Sequence, residues 1–284
     1  MYESYYGLQE RPFDLSPNPR FLCFTPQHRE ALAHLEYGLA GPPGVTVLVG
    51  EAGTGKTTLV RKALQASSGA STIVHLSNPT LTRAEFYEYI AAGFGFSAEA
   101  GRSKIQFLRE VDAALNNPGS PRLALIVDEA QSVPYELLEE IRLLTNAESS
   151  IGRSIAVVLV GQPELGRRLD EARLRQLKQR VVLRCELTPL SLKDTAAYIS
   201  ARVKTAGGEA TRLFSRDAVV SIHQYSTGIP RVISVICDNA LVNGFAADQK
   251  PVGAGTVMEV CRSLSLPFNE AKAAPAPAPV RAPE

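Results

Sequence analysis

Residues 50–57 read Gly50-Glu51-Ala52-Gly53-Thr54-Gly55-Lys56-Thr57, and this stretch restricts the fold more than any other in the chain. The run before it, Val45-Thr46-Val47-Leu48-Val49, is β-branched and follows a Gly-Pro-Pro-Gly segment, so it reads as a buried strand. Thr58-Leu59-Val60-Arg61-Lys62-Ala63-Leu64 then carries its apolar residues at helical spacing. Strand, glycine loop and helix N-terminus, in that order, form the context of a phosphate-binding loop. Gly50, Gly53 and Gly55 let the backbone curl, with Glu51, Ala52 and Thr54 between them, so that its N–H groups converge on phosphate oxygens. The helix that opens at Lys56, Thr57 and Thr58 adds unpaired N–H groups and the positive end of its dipole. Lys56 is placed to reach the β- and γ-phosphates and the Thr57 hydroxyl to ligate Mg²⁺. The pattern implies a bound nucleoside triphosphate.

The rest of the composition is that of an ordinary globular chain, 45% hydrophobic and 21% charged over 284 residues. A formal charge of +1 provides no global field toward nucleic acid or anionic lipid. Cys23, Cys185, Cys237 and Cys261 are far apart and form no CxxC pair, which favours burial as small hydrophobes over a metal site or disulfide framework. No stretch approaches the roughly twenty apolar residues that a membrane helix requires. The first residues, Met1-Tyr2-Glu3-Ser4-Tyr5-Tyr6, lack the basic and apolar regions of a signal peptide. A reduced, cytoplasmic compartment with no direct membrane insertion is the expectation. The alternating Ala-Pro segment within residues 267–284 is expected to be an extended, disordered tail.

Along the chain, the aromatic and proline-rich opening reads as an irregular segment packed by its rings. Thr25-Pro26 then starts a helix with Ala31, Leu32, Leu35 and Leu39 on one face. Strands are expected at 45–49, 71–77, 123–127, 154–161 and 181–187, with helices at 82–94, 104–115 and 132–145 between them. The third strand, Leu123-Ala124-Leu125-Ile126-Val127, is apolar throughout, as in a parallel sheet covered on both faces, and it runs into Asp128-Glu129. Given the loop upstream, Asp128 is expected in the Mg²⁺ shell and Glu129 to orient the water that attacks the γ-phosphate. Gln162, just past the fourth strand, either touches the γ-phosphate and that water or serves as a turn or cap residue. Residues 167–184 hold six arginines and one lysine, read either as a solvated face or as a phosphate-recognition surface. Beyond Ser191 only helices are expected, at 195–206, 215–225, 230–245 and 255–263, with Thr188-Pro189-Leu190 as the hinge. Arg231 stands in the first turn of one of them, where a cation opposes the helix dipole, which suggests that it faces an anion.

These residues together resemble an AAA+ ATPase of the ExeA/GspA type, associated with general secretion. The likeness rests on Tyr6-Gly7-Leu8, Pro12-Phe13 and Pro17-Asn18-Pro19-Arg20-Phe21, on His28-Arg29-Glu30-Ala31-Leu32, and on the Walker A motif Gly50 to Thr57. It continues through the Walker B motif Asp128-Glu129-Ala130-Gln131 with Leu143-Leu144-Thr145-Asn146, through Val160-Gly161-Gln162-Pro163-Glu164-Leu165, and through Leu174-Arg175-Gln176-Leu177, Gln179-Arg180 and Gly228-Ile229-Pro230-Arg231. Asn18 stands where the family commonly has Asp. The resemblance implies an α/β AAA+ P-loop NTPase, a five-stranded parallel sheet flanked by helices and followed by a small all-helical lid. Residues 1–40 would pack on the ATPase core, 41–189 form that core, 190–266 form the lid and 267–284 the tail. It further implies ATP as the nucleotide, Gln162 as sensor 1, Arg180 as the arginine finger with Arg175 as its alternative, and Arg231 as sensor 2. Tyr198 and Ile199 would contact the base.

Three functions are compatible with this reading. The first is a Mg²⁺-dependent ATPase that oligomerises with shared sites and assembles or remodels an envelope secretion or export machine beside a membrane or secretion-complex subunit, peripheral at the inner membrane. The second is a DNA-associated ATP switch of the transposition-regulator type, supported only by the arginine run and opposed by the near-neutral charge. The third is an ATP-gated scaffold with little hydrolysis, which intact Asp128 and Glu129 oppose.

Overall fold

The computed structural model describes residues 1–15, 19–21, 25–40, 44–67, 69, 71–77, 79–147 and 149–268. Nearly all of the expected Ala-Pro tail, and Asn18 and Cys23, lie outside the described residues. Five strands form one parallel sheet: β1 (Gly44–Gly50), β2 (Ser71–Leu76), β3 (Arg122–Val127), β4 (Ala156–Gly161) and β5 (Val181–Leu187), in the order β2-β3-β4-β1-β5. Because β4 lies between β1 and β3, the chain leaves these three strands side by side at their C-terminal ends. That end of an open parallel sheet is where ligands bind.

Alternation along the strands divides the core in two. Val45, Val47 and Val49 of β1, with Leu125 and Val127 of β3, bury under helices Arg83–Phe94, Lys104–Asn116 and Tyr135–Leu144. Leu48, Ile126, Val158 and Val160 face the other side, covered by helices Pro26–Ala40 and Lys56–Ala66 through Ala31, Leu35, Leu39, Leu59 and Ala63. β4, and β3 from Leu123 onward, are therefore buried on both faces, which is why these runs are apolar without interruption. β5 is an edge strand, and its alternate residues Val182, Arg184 and Glu186 are exposed.

Helix boundaries follow local chemistry. Thr82 caps Arg83–Phe94 with a complete capping box to Glu85, and Ser103 caps Lys104–Asn116. The helix expected over 132–145 starts later, at Tyr135, and is preceded by a separate 3₁₀ turn, Ala130–Ser132. Pro134 is the cause, since it forces Val133 into an extended conformation and so separates turn from helix. A further short helix, Ala98–Arg102, capped by Ser97, is not apparent in the apolar pattern.

The chain divides into two units, 24–188 and 1–23 joined with 189–284. The expectation that residues 1–40 all pack on the ATPase core is thus corrected for their first half; helix Pro26–Ala40 does pack there. Tyr2, Tyr6, Leu8, Phe13 and Phe21 bury instead among the helices of the second unit, with Ile199, Val203, Ile236 and Leu241. Arg202 fixes this arrangement. Its guanidinium lies over the Phe21 and Tyr198 rings and donates to the Pro12 and Asp14 carbonyls at 2.6 and 2.9 Å. The unit's helices are Tyr2–Tyr6, Leu192–Thr205, Ala210–Leu213, Arg216–Ser226, Pro230–Ala246 and Ala254–Ser263. Gly228, at φ 81°, lets the chain turn into Pro230–Ala246, and a Cβ there would sit 2.2 Å from the Leu190 carbonyl oxygen. Cys237 and Cys261 are buried free thiols in this unit, and Cys185 is one in the other.

One buried acid ties three helices of the first unit together. Glu140 accepts from Tyr87 Oη and Lys104 Nζ, each at 2.6 Å, and pairs with Arg83 at 2.6 Å. Burial pushes its carboxyl up, but the contacts with Lys104, Tyr87 and Arg83 outweigh this and hold it below its ordinary 4.5. A depressed folded value means that the cluster stabilises above the unfolded value and that the contribution is lost as pH falls through the folded one. Glu140→Gln is expected to cost about 1–3 kcal/mol at pH 7. It should also flatten the loss of stability below pH 4.5, as read by urea unfolding across pH.

Candidate nucleotide site

At the end of β1 the chain enters a loop in which Gly53 and Gly55 take φ of 83° and 103°. Gly55 is the N-cap of helix Lys56–Ala66 and supplies no side-chain cap, so the first N–H groups of that helix are left for an anion. Thr54 is buried and closes the loop on itself, its hydroxyl donating to the Glu51 carbonyl at 2.8 Å. Glu51 and Ala52 are exposed, and Thr58 is half-buried in the first helical turn. Lys56 is only 5% exposed and donates to the Gly50 and Glu51 carbonyls at 2.8 and 3.0 Å. Burial lowers its pKa, and Glu129, Asp128 and Glu51 oppose the shift, so the ammonium is held inside a carboxylate field.

β3 delivers the acids. Asp128 is buried; its backbone N–H donates to Leu76 O at 2.9 Å, and its Oδ2 accepts from the Thr57 hydroxyl at 3.2 Å. Its Oδ1 accepts from the Glu129 N–H at 2.9 Å. Glu129 itself stands in the left-handed region at φ 51°, so that its side chain leaves the strand direction. The Glu129 carboxylate accepts from Gln131 Nε2 at 2.6 Å and from Gln162 Nε2 at 3.3 Å. The Gln131 bond, with smaller help from Gln162 and Lys56 and against burial, holds this carboxyl below its ordinary range. Gln162 is the N-cap of helix Pro163–Leu169 yet makes no capping bond, leaving its amide turned to Glu129.

Lys56, Thr57, Asp128, Glu129 and Gln162 are therefore brought together from three adjacent strand ends. Arg180 is elsewhere in the same unit. It precedes β5, and its carbonyl accepts from Val45 N at 2.8 Å, which places it at the N-terminal end of the sheet. At about 3.3 Å per residue, the length of β5 separates it from the loop by roughly 20 Å. Arg175 is exposed at the start of the short helix Arg175–Lys178. Most of the other basic residues in this run have local partners. Arg167 pairs with Glu164, Lys178 pairs with Asp170, and both Arg168 and Arg173 lie over the Tyr135 ring at 4.5 and 4.4 Å.

The remaining candidates lie in the helical unit. Arg231 is exposed in the first turn of Pro230–Ala246. Tyr198 and Ile199 face that unit's own core, 8% and 1% exposed, with the Tyr198 hydroxyl on Ser234 Oγ at 2.8 Å.

Two residues that the sequence argument leaves without a role join the site. His28 is buried, its Nε2 donating to the Thr54 carbonyl at 3.1 Å while Nδ1 meets the Thr25 hydroxyl at 2.6 Å. The second is Gln131. The available signal for His28 was a polar residue three and seven positions before Ala31 and Leu35, on the apolar stripe of its helix.

A family model described as AAA domain matches residues 40–169. The chain is 40% identical over 259 residues to general secretion pathway protein A of Aeromonas hydrophila, a match covering 90% of this chain and 47% of that protein. The chain thus spans about half the length of this curated relative. Among solved structures, the Aeropyrum pernix ORC2 protein superposes with a TM-score of 0.64 at 18% identity, covering 89% of this chain and 71% of that one. Cdc6p from Pyrobaculum aerophilum gives 0.64 at 16%, covering 89% and 70%. The Thermotoga maritima RuvB Holliday junction branch migration motor gives 0.53 at 17%, covering 86% and 72%. At such identities the three structures speak for the fold, that of an AAA+ P-loop NTPase.

The His28 contact gives a prediction independent of any ligand. His28→Leu leaves the buried Thr54 carbonyl without its donor and is expected to lower unfolding free energy by about 1–3 kcal/mol in denaturant titration.

Proposed function

Because the chain belongs to the ExeA/GspA type of AAA+ ATPases, we propose that it binds ATP with Mg²⁺, hydrolyses it, and works as a homo-oligomer. The observation that carries this is the hydrogen-bonded array of Thr57, Asp128, Glu129 and Gln162, with the buried Lys56 ammonium in the field of its two carboxylates. The residues fit both ligands. An uncapped helix start beside a buried ammonium suits a polyphosphate, and the Thr57 hydroxyl with the Asp128 carboxylate is the hard-oxygen donor set that Mg²⁺ takes. When bound, Mg²⁺ supplies neutralisation of charge on the phosphate oxygens.

The chain's own groups divide the remaining work. Lys56 binds the β- and γ-phosphates, and exchanging its two carbonyl contacts for phosphate oxygens keeps it fully partnered. Glu129 orients the attacking water, and Gln162, held against it, senses the γ-phosphate. Arg180 is the arginine finger. Its place at the far end of the sheet from its own loop supports service to a second copy, with Arg175 as the alternative. Arg231 acts as sensor 2. Tyr198, whose hydroxyl meets Ser234 on the helix that presents Arg231, and the neighbouring Ile199 are the candidates for contact with the base. The relative's name supports the further reading that the nucleotide cycle assembles or remodels an envelope secretion or export machine. Among the described residues no helix is long and apolar enough to cross a membrane. A cytoplasmic place, peripheral at the inner membrane through a partner subunit, accords with the secretion relative.

The test is ATP hydrolysis over a range of protein concentrations, with and without duplex DNA. Specific activity should rise with concentration and ignore DNA. Lys56→Ala should abolish nucleotide binding, whereas Glu129→Gln should bind ATP and turn over about a hundredfold more slowly or worse. Arg180→Ala should lose about a thousandfold in kcat yet regain activity when mixed with Lys56→Ala, each supplying what the other lacks. Turnover by Glu129→Gln at the wild-type rate would remove Glu129 from its role. Strong stimulation by DNA that fades with salt would favour a DNA-associated switch instead.

A further inference from the structure

We propose that Gln131 is a positioning residue for hydrolysis, one amide that holds the Glu129 carboxylate and the end of β4 in a fixed relation. The inference rests on the ATPase reading above and adds to it. Gln131 lies in the 3₁₀ turn Ala130–Ser132, two residues beyond Glu129. Its Nε2 donates to Glu129 Oε2 at 2.6 Å, and its Oε1 accepts from the Gln162 N–H at 3.0 Å. The side chain therefore spans from the turn after β3 to the turn after β4. A neutral amide of this length gives a hydrogen bond at one end and takes one at the other, whereas a carboxylate accepts only and an ammonium donates only.

Its surroundings are built to the same purpose. A Cβ on Gly161 would lie 2.7 Å from Gln131 Oε1, so the glycine before Gln162 is what admits the amide to the end of β4. The turn that carries Gln131 is held by Arg168, whose guanidinium donates to the Gln131 carbonyl and, at 2.8 Å, to the Val133 carbonyl. Arg168 in turn lies over Tyr135, whose hydroxyl donates to Glu171 at 2.6 Å. Without Gln131, the Glu129 carboxylate has its 3.3 Å contact with Gln162 in place of the 2.6 Å one. None of the contacts described for Lys56 or Thr57 passes through Gln131, so nucleotide affinity and water orientation are separable.

Two variants test this. Gln131→Leu removes both bonds. Gln131→Glu keeps the acceptor toward Gln162 N–H but turns a second carboxylate on Glu129. Both should lower kcat by about ten- to a hundredfold, while KM and the Kd for a non-hydrolysable ATP analogue stay within about threefold. In the unliganded protein, the melting-temperature changes of Gln131→Leu and Glu129→Ala should not sum in the double variant, because the two residues share one interaction. Should Gln131→Leu fail to fold, Gln131→Glu carries the kinetic test alone. The role is overturned if kcat of a folded variant stays within twofold of wild type. It is equally overturned if kcat falls only alongside a matching loss of nucleotide affinity, or if the melting changes simply add. Wild-type protein that turns over no faster than Glu129→Gln would sink the ATPase reading itself and this role with it. An active wild type beside an unimpaired Gln131→Glu would sink the role of Gln131 alone.

Discussion

Everything at the site depends on β4 running between β1 and β3 with all three strands parallel. Parallel pairing sets each strand's last residue near that of its neighbour, so the loop after β1, the acids after β3 and the glutamine after β4 meet without any long excursion of the chain. The arrangement demands strands buried on both faces, and that demand is met by the unbroken apolar runs of β3 and β4. A charged residue in either run would remove the geometry along with the stability. Function and core packing are in this respect one requirement.

Around that frame the site's polar groups are few, and each is held by a partner. Lys56, Asp128 and Glu129 are costly to dehydrate one by one, and the structure places each within reach of an opposite charge or a donor. Glu140 shows the same principle applied to scaffolding, with no nucleotide in view: an acid under three helices is kept ionised by the hydroxyl, ammonium and guanidinium turned onto it. Exposed pairs such as Arg167 with Glu164 contribute little by comparison, because solvent screens them.

The parts of the fold that are local in sequence were legible beforehand. The glycine loop, its flanking strand and helix, and the acids ending β3 are each specified within a dozen residues, and the chemistry follows from their order. What escaped was of two kinds. Pro134 shortens a helix that apolar spacing alone extends to Ser132, a case of backbone sterics overriding periodicity. Contacts made across the fold carry no local signature: the aromatic opening could be seen to want burial, but not that its partners were nearly two hundred residues away. His28 and Gln131 belong here too, because a lone polar residue on a helix or turn declares its partner only once the strands are ordered.

The Arg202 bonds to Pro12 and Asp14 have a consequence for how the chain is made. Residues 1–23 and 189–284 form one unit, so a complete α/β core is interposed between its two parts. Tyr2, Tyr6 and Phe13 leave the ribosome well before their burial partners, which follow only after that core has been synthesised. At roughly 5–20 residues per second the delay is on the order of ten seconds or more, during which the core folds while an apolar segment stays uncovered. Closing so long an interval costs little more at equilibrium than closing a short one, since the entropy grows only with the logarithm of its length. The price is kinetic, a window in which nascent chains on one message present the same sticky segment to each other.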